Sequence, residues 1–317
     1  MKIMVWHVHG SWTTSFVHGG HEYLVPLTPG RGPDGRGRAE TYPWPDTVRE
    51  VPHDRLAAED VDVVVYQRPH EIELAREWLG RDVPGVYVEH NTPAGDVPKT
   101  RHPLADRNDI PLVHVTHFND LFWDCGRAPT HVIEHGVVDP GHLYSGELAR
   151  AGVVVNEPIR RWRVAGTDLL PTFATGAPID VFGMQVANLP AKLGLDGAMG
   201  AFEDLPQSAM HAELARRRVY LHPYRWTSLG LSLIEAMMIG MPVVALATTE
   251  AVEAVPPEAG VVSTKIPSLL RALDRFAKEP ELAAQAGKAA RAAALARYSL
   301  DRFHADWNRL LTSIAPG

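Results

Sequence analysis

The strongest constraint on the fold is an alternation of strand-like and helix-like segments that runs through half the chain and then starts afresh. Short runs rich in Val, Ile and Tyr at Ile3–Val8, Glu22–Leu27, Val61–Tyr66, Gly85–Val88, Leu112–Val115 and His131–Ile133 read as buried strands. Stretches such as Glu71–Leu79 and Asn119–Asp124 between them suit helices. Parallel neighbours need a long crossover connection, so strand and helix taking turns predicts a doubly wound α/β domain. The pattern restarts after Pro140 and Gly141, with strands expected at Gly152–Val155, Ile179–Phe182, Val219–His222, Pro242–Leu246 and Gly260–Val262. Helical patterns at Ala209–Arg216, Leu231–Ile239, Ser268–Lys278 and Pro280–Arg297 separate them. A last amphipathic run, Leu300–Leu311, carries Phe303, Trp307, Leu310 and Leu311 at helical spacing and needs a surface to pack on. A chain of 317 residues exceeds what one hydrophobic core usually fills, so the expectation is two α/β domains, 1–148 and 149–317, facing a central cleft.

Composition narrows the class of partner. A formal charge of -7 argues against coating nucleic acid, and the partner is expected to be small. The single cysteine, Cys125, forms no internal disulfide, and Met1–His7 reads as a strand start without the apolar region of a signal peptide. That predicts a cytoplasmic protein. No apolar run approaches the roughly 20 residues that cross a bilayer, so membrane contact would be peripheral. The glycine-rich stretch Pro29–Gly37 lacks hydrophobic residues and reads as a surface loop.

The segment from Tyr224 to Ala245 carries the chemistry. Gly240 suits a helix end, Pro242 prevents resumption, and Ser228 suits the helix start. In an otherwise apolar helix, Ser228, Ser232 and Glu235 fall on one stripe. Either Glu235 pairs with a basic side chain, as buried carboxylates generally do, or the stripe lines a ligand site. In the second case the amides at the helix start meet a diphosphate and Glu235 accepts hydrogen bonds from a sugar diol.

This segment resembles the GT4-type retaining glycosyltransferases of the GT-B fold, with two Rossmann-like domains and a Glu-x7-Glu motif running into Gly-x-Pro-Val-Val-Ala. Glu235 matches the second glutamate, and Thr227 stands where the family has the first. The resemblance implies that Glu235 holds the nucleotide's ribose, that position 227 contacts the donor sugar, and that the Ser228, Leu229 and Gly230 backbone binds the diphosphate. The stretch Asn156–Asp168 resembles the family's Arg and Lys-Gly segment, with Arg160 at the arginine and Ala165 in place of the lysine. Arg160 and Arg161 are thereby implied to stabilise the departing diphosphate, although arginines so close together also suit a solvated surface. Arg163 is the other arginine that could replace the missing lysine.

The first half resembles the family more loosely. Gly10 and Ser11, in His9-Gly-Ser, stand at its glycine-rich loop for phosphate or acceptor, and Gly85–Thr92 resembles the strand that ends in a cleft histidine, here His90. His135–Asp139 resembles the segment before the interdomain linker. The resemblance implies a nucleotide-sugar donor on the second domain, an acceptor of unknown identity on the first, a C-terminal helix crossing back to the first, retention of configuration, and neither cofactor nor metal. Two other readings compete. His7 and His9 form a His-x-His pair like that of metal-dependent barrel hydrolases. Thr227 and Ala165, in place of charged residues, raise a nucleotide-sugar-binding protein without catalysis. No Gly-x-Gly-x-x-Gly follows the first strand, which leaves a nicotinamide dehydrogenase without support.

Overall fold

The computed structural model describes residues 1–39 and 42–315. It divides into two compact units, Met1–Val138 with Leu300–Gly317 and Asp139–Ser299. The first holds a seven-stranded parallel sheet of β1 (Lys2–Val5), β2 (Glu22–Leu27), β3 (Val48–Pro52), β4 (Val63–Tyr66), β5 (Gly85–Glu89), β6 (Leu112–His114) and β7 (Thr130–Val132), in the order β3-β2-β1-β4-β5-β6-β7. The second holds a six-stranded parallel sheet of β8 (Leu148–Val154), β9 (Ile179–Gly183), β10 (Gly200–Glu203), β11 (Arg217–His222), β12 (Val243–Leu246) and β13 (Gly260–Ser263), in the order β10-β9-β8-β11-β12-β13. Helices cover both faces of a parallel sheet, so its central strands are continuous apolar runs. Val63–Tyr66 and Val243–Leu246 are buried at every position.

Each sheet reverses its strand order once, beside its first strand. The reversal lies between β1 and β4 in the first sheet and between β8 and β11 in the second. Ligands of doubly wound sheets bind outside the carboxyl ends of the strands at such a point.

The boundary between units falls at Val138 and Asp139, ahead of the expected 148/149, because the intervening stretch is tied into the second unit. Asp139 accepts from both terminal nitrogens of Arg291 at 2.8 Å. The Leu143 and Tyr144 amides bond to the Ile239 carbonyl, and those of Ser145 and Gly146 to Ala215. The helix Leu300–Ile314 belongs to the first unit. Its Trp307 packs on Phe16 and Trp12 of the helix Gly10–Val17, with ring centres 5.0 and 5.8 Å away.

Several local expectations change in the structure. The strand that opens the chain ends at Val5, so His7 and His9 lie beyond it and not on it. The Asn156–Asp168 stretch, which is not among the expected helices, is largely helical, Pro158–Ala165. The glycine-rich Pro29–Gly37 stretch is a loop, as expected, and it is anchored: the Asp34 carbonyl accepts from Trp6 Nε1 at 3.0 Å, and the Asp34 carboxylate meets Arg68 at 3.1 Å and His70 at 2.9 Å. The barrel needed by a metal-dependent hydrolase is overturned by the two open sheets.

Candidate functional site

At the switch point of the second sheet, β8 leads into the helix Pro158–Ala165 and β11 leads through His222 and Tyr224 to the helix Leu231–Ile239. That second helix starts at Gly230, not Ser228. Gly230 is extended (φ -69°, ψ 119°) and no side chain caps the helix, so the first-turn amides are not covered by a capping hydroxyl or carboxylate. Glycine is required there: a β-carbon at 230 would sit 2.9 Å from His222 Cε1. Ser228 therefore lies in the preceding loop, buried beside Leu229, while Thr227 is half-buried. Of the expected polar stripe only Ser232 and Glu235 are helical, and the Ser232 hydroxyl bonds to that of Tyr220 at 3.0 Å.

Glu235 is 5% exposed. Its Oε1 accepts from Gln207 Nε2 at 3.1 Å and its Oε2 from His211 Nε2 at 3.2 Å. The carboxylate thus has structural partners, the imidazole of His211 among them, and each oxygen keeps a second lone pair.

The arginines separate into two kinds. Arg160 is exposed and forks onto Glu157 one turn earlier, and Arg163 meets Asp168 at 3.2 Å. Arg161 makes no salt bridge among the described residues; its guanidinium lies 5.3 Å from the centre of the Tyr224 ring. Tyr224 is buried, donates to the Val154 carbonyl at 3.2 Å and stacks on His222 at 4.7 Å. Burial raises the Tyr224 phenol above its ordinary value and lowers His222 to about 3. His222 Nδ1 is buried with no partner among the described residues. The sequence pattern did not single out His222, Tyr224, Gln207 or His211. One signal was available for His222: it closes a parallel strand, where ligand-facing residues gather.

In the first unit, His9 and His90 leave the ends of β1 and β5 and meet with ring centres 4.1 Å apart. The Trp12 ring stands edge-on to His90 at 5.0 Å. His90 is half-buried, but its Nε2 is sealed and has no partner among the described residues. Burial, then the neighbouring His9 and His135, hold the His90 imidazole well below its ordinary value. His9 is lowered chiefly by burial, against the attraction of Glu89. Glu89 accepts from the Asn91 amide at 2.7 Å and from His102 Nε2 at 3.1 Å. Because His102 Nδ1 accepts the Leu104 amide, its proton sits on Nε2. Gly10 opens the helix Gly10–Val17 against the Tyr42 ring, which a β-carbon would approach to 2.9 Å, and Ser11 Oγ lies 3.4 Å from the Tyr42 hydroxyl.

Comparison with known proteins agrees with this architecture. Residues 185–293, which include β11, Gly230 and Glu235, match the family model described as glycosyl transferases group 1. Comparison with curated proteins returns no match. Among solved structures, sucrose-phosphate synthase from Thermosynechococcus elongatus superposes with a TM-score of 0.75 at 13% identity, over 99% of this chain and 98% of that one. HepE from Anabaena, in complex with UDP and glucose, gives 0.70 at 16% identity over 99% and 100%. A glycosyltransferase from Rickettsia africae gives 0.66 at 14% over 100% and 99%. Two parallel α/β sheets with these neighbours define the class: the chain has the GT-B fold. Among the described residues, no helix is long and apolar enough to cross a membrane.

Proposed function

We propose that the protein is a glycosyltransferase that moves a sugar from a nucleoside diphosphate sugar to a second substrate, with retention of configuration and without a metal ion. The observation that carries this reading is the helix Leu231–Ile239, opening uncapped at Gly230 and carrying the buried Glu235 inside the segment that matches the glycosyl transferases group 1 model. The neighbour HepE, solved with UDP-glucose, supports a nucleotide-sugar donor. In this reading the first-turn amides after Gly230 and the loop backbone at Ser228 and Leu229 receive the diphosphate, while Glu235 accepts from the ribose hydroxyls. Negative charge grows on the diphosphate oxygen as the glycosidic bond breaks, and preformed donors aimed at it lower the barrier. Arg161, with no competing carboxylate pair, is better placed to supply such a donor than Arg160, which would first have to leave Glu157. Thr227 offers the donor sugar a neutral hydroxyl. His90, held neutral, serves as a hydrogen-bonding group and not as a charged acid.

Replacing Glu235 by Gln turns a charged acceptor into a neutral one. Hydrogen bonds to charged groups contribute about 1.5–3 kcal/mol, so nucleotide affinity is expected to fall by about tenfold or more. Calorimetric titration with a panel of nucleoside diphosphates measures it, and unchanged affinity in a folded variant removes Glu235 from the site. Once a donor is found, turnover is expected to survive chelator, since amides and arginine carry the charge stabilisation. Complete loss restored by a divalent ion would overturn that. Binding of a nucleotide sugar with no transfer and no donor hydrolysis would instead favour the non-catalytic reading that Thr227 and Ala165 raise.

A further inference from the structure

The first unit holds a cavity of about 390 Å³ lined by the segments that enter β5 and β6, so it lies at the end of the sheet opposite the one where His90 leaves β5. Its origin is in the connections. The strand order steps from β4 to β5 to β6, and right-handed crossovers put both connections on one face of the sheet. The first crossover is the helix Glu71–Leu79, whereas the second, residues 90–111, holds among the described residues only the short helical turn Val97–Lys99. Nothing of helix length packs beside Glu71–Leu79 there, and the cavity lies between that helix and the two strand entries.

A cavity of this size suits a small organic molecule. Its floor is apolar, formed by the buried side chains of Tyr66, Ile72, Leu79 and Ile110. The Tyr66 ring stacks on Trp6, with centres 6.2 Å apart, and occupies the space that a β-carbon at Gly85 would need, so the floor is a fixed aromatic surface. Tyr66 is 5% exposed, yet its hydroxyl has no hydrogen-bond partner among the described residues. Burial pushes that phenol up to about 12, against the opposing pull of the nearby Arg76 and Arg107, so it keeps its proton and can donate. Buried polar groups left without partners are uncommon, and one that lines a cavity calls for an occupant. The rim sets the occupant's charge. Arg76 Nε meets Asp82 at 3.1 Å, and Arg107 Nε meets Asp109 at 2.9 Å. Arg81 has no such match: its Nη2 donates to the Glu59 and Val61 carbonyls at 3.2 Å, and it makes no salt bridge among the described residues. Three guanidinium groups against two carboxylates leave one positive charge over.

We propose that this cavity is a ligand site in its own right and that it takes a small aromatic monoanion of the aryl carboxylate class, its ring on the Tyr66 floor and its carboxylate accepting from the Tyr66 hydroxyl at the arginine rim. Substrates of such sheets bind at the carboxyl ends of the strands, so a ligand at the amino ends is separate from the glycosyl-transfer reading and does not depend on it. The probe is 2-naphthoate, titrated calorimetrically into the full chain and set against its neutral amide, the dianion 2-naphthyl phosphate and the aliphatic monoanion decanoate. Naphthoate is expected to bind about tenfold or more tightly than the amide, because the amide cannot accept a charge-assisted hydrogen bond. It is also expected to bind more tightly than either the phosphate or decanoate. Tyr66→Phe keeps the ring and removes a hydroxyl that no other part of the described fold uses, so it is expected to weaken naphthoate about tenfold while the thermal midpoint holds or rises. Arg81→Gln removes the surplus charge without stranding a carboxylate and is expected to weaken naphthoate about fivefold or more. No binding of naphthoate, equal binding of its amide, or unchanged affinity in Tyr66→Phe would each overturn the proposal. Tighter binding of decanoate would overturn the aromatic floor as the recognition element, and tighter binding of the phosphate would overturn the single charge.

Discussion

Lowering the pH from about 7 to about 5 is expected to destabilise the fold by about 2 kcal/mol for each deeply buried histidine that stays neutral in the native state. Besides His90, held well below its ordinary value, three side chains meet that description. Burial, with smaller repulsion from His9 and Arg302, lowers His135 to about 3; burial lowers His222 to about 3; and burial, partly offset by Asp120, lowers His114 to about 4. All three have a buried Nδ1 without a partner among the described residues, so no hydrogen bond there favours the charged form. The sign follows from proton binding. The unfolded chain takes up a proton near 6.5 and the folded one does so only well below, so unfolding consumes protons and acid favours it. The contribution is complete above the unfolded value and is lost as pH falls from there towards the folded value. Urea unfolding midpoints measured between the two pH values check this, and single replacements of His114, His135 or His222 by Gln should each flatten the slope by about 2 kcal/mol. A slope unchanged in all three variants would mean that surface carboxylates carry the acid sensitivity.

How much of this was legible beforehand depended on burial. Central strands such as Val63–Tyr66 and Val243–Leu246 are apolar at every position, and that density survives in the sequence as a readable run. The outer strands do not leave such a mark. Val48–Pro52 buries only its two valines, and Gly200–Glu203 is only partly covered, so neither presents an apolar run to recognise. The helix Gly10–Val17 is rich in Thr, Ser and β-branched residues and forms because the aromatic residues of the distant Leu300–Ile314 helix pack on it. The site divides in the same way. The Glu235 helix is local, bounded by Gly230 and Gly240, and can be read from a short window. The partners of Glu235 lie more than a helix away in sequence, and the Glu157 that takes Arg160 sits in a left-handed turn at φ 53° that an arginine-rich string does not announce. The bond from Gln67 to the Trp6 carbonyl exists only because β1 and β4 are neighbours across the switch point, which is a property of strand order and not of any segment.

Replacing Arg217 by Ala is expected to destabilise the second unit by about 3–5 kcal/mol, the usual cost of removing one member of a buried ion pair. The side chain of Arg217 is 3% exposed at the start of β11. Its Nε donates to Asp180 at 2.8 Å, and its Nη1 donates to the Glu213 carboxylate at 2.9 Å and to the Glu213 carbonyl at 2.6 Å. The guanidinium plane also lies against Phe182 and Phe202, 4.9 and 4.5 Å from their ring centres, where the positive charge meets the negative faces of the rings. Burial pushes the Asp180 carboxyl up, but the hydrogen bonds from Arg150 and Arg217 outweigh it and hold the group below its ordinary value. Without Arg217 the Asp180 carboxylate keeps only the Arg150 contact at 2.7 Å and the Gly200 amide at 3.1 Å, and a gap opens beside two aromatic rings. Arg217→Met fills part of the gap while still stranding the charge, so it separates lost packing from lost pairing. If pairing dominates, Met should be nearly as damaging as Ala, and adding Asp180→Asn to Arg217→Met should recover stability, since the two residues touch and their effects couple. Chemical denaturation of the three variants and the unaltered protein, followed by a probe in the second unit, reads both terms. A loss below about 1 kcal/mol for Arg217→Ala would place this network among ordinary exposed ion pairs and would mean that water reaches Asp180.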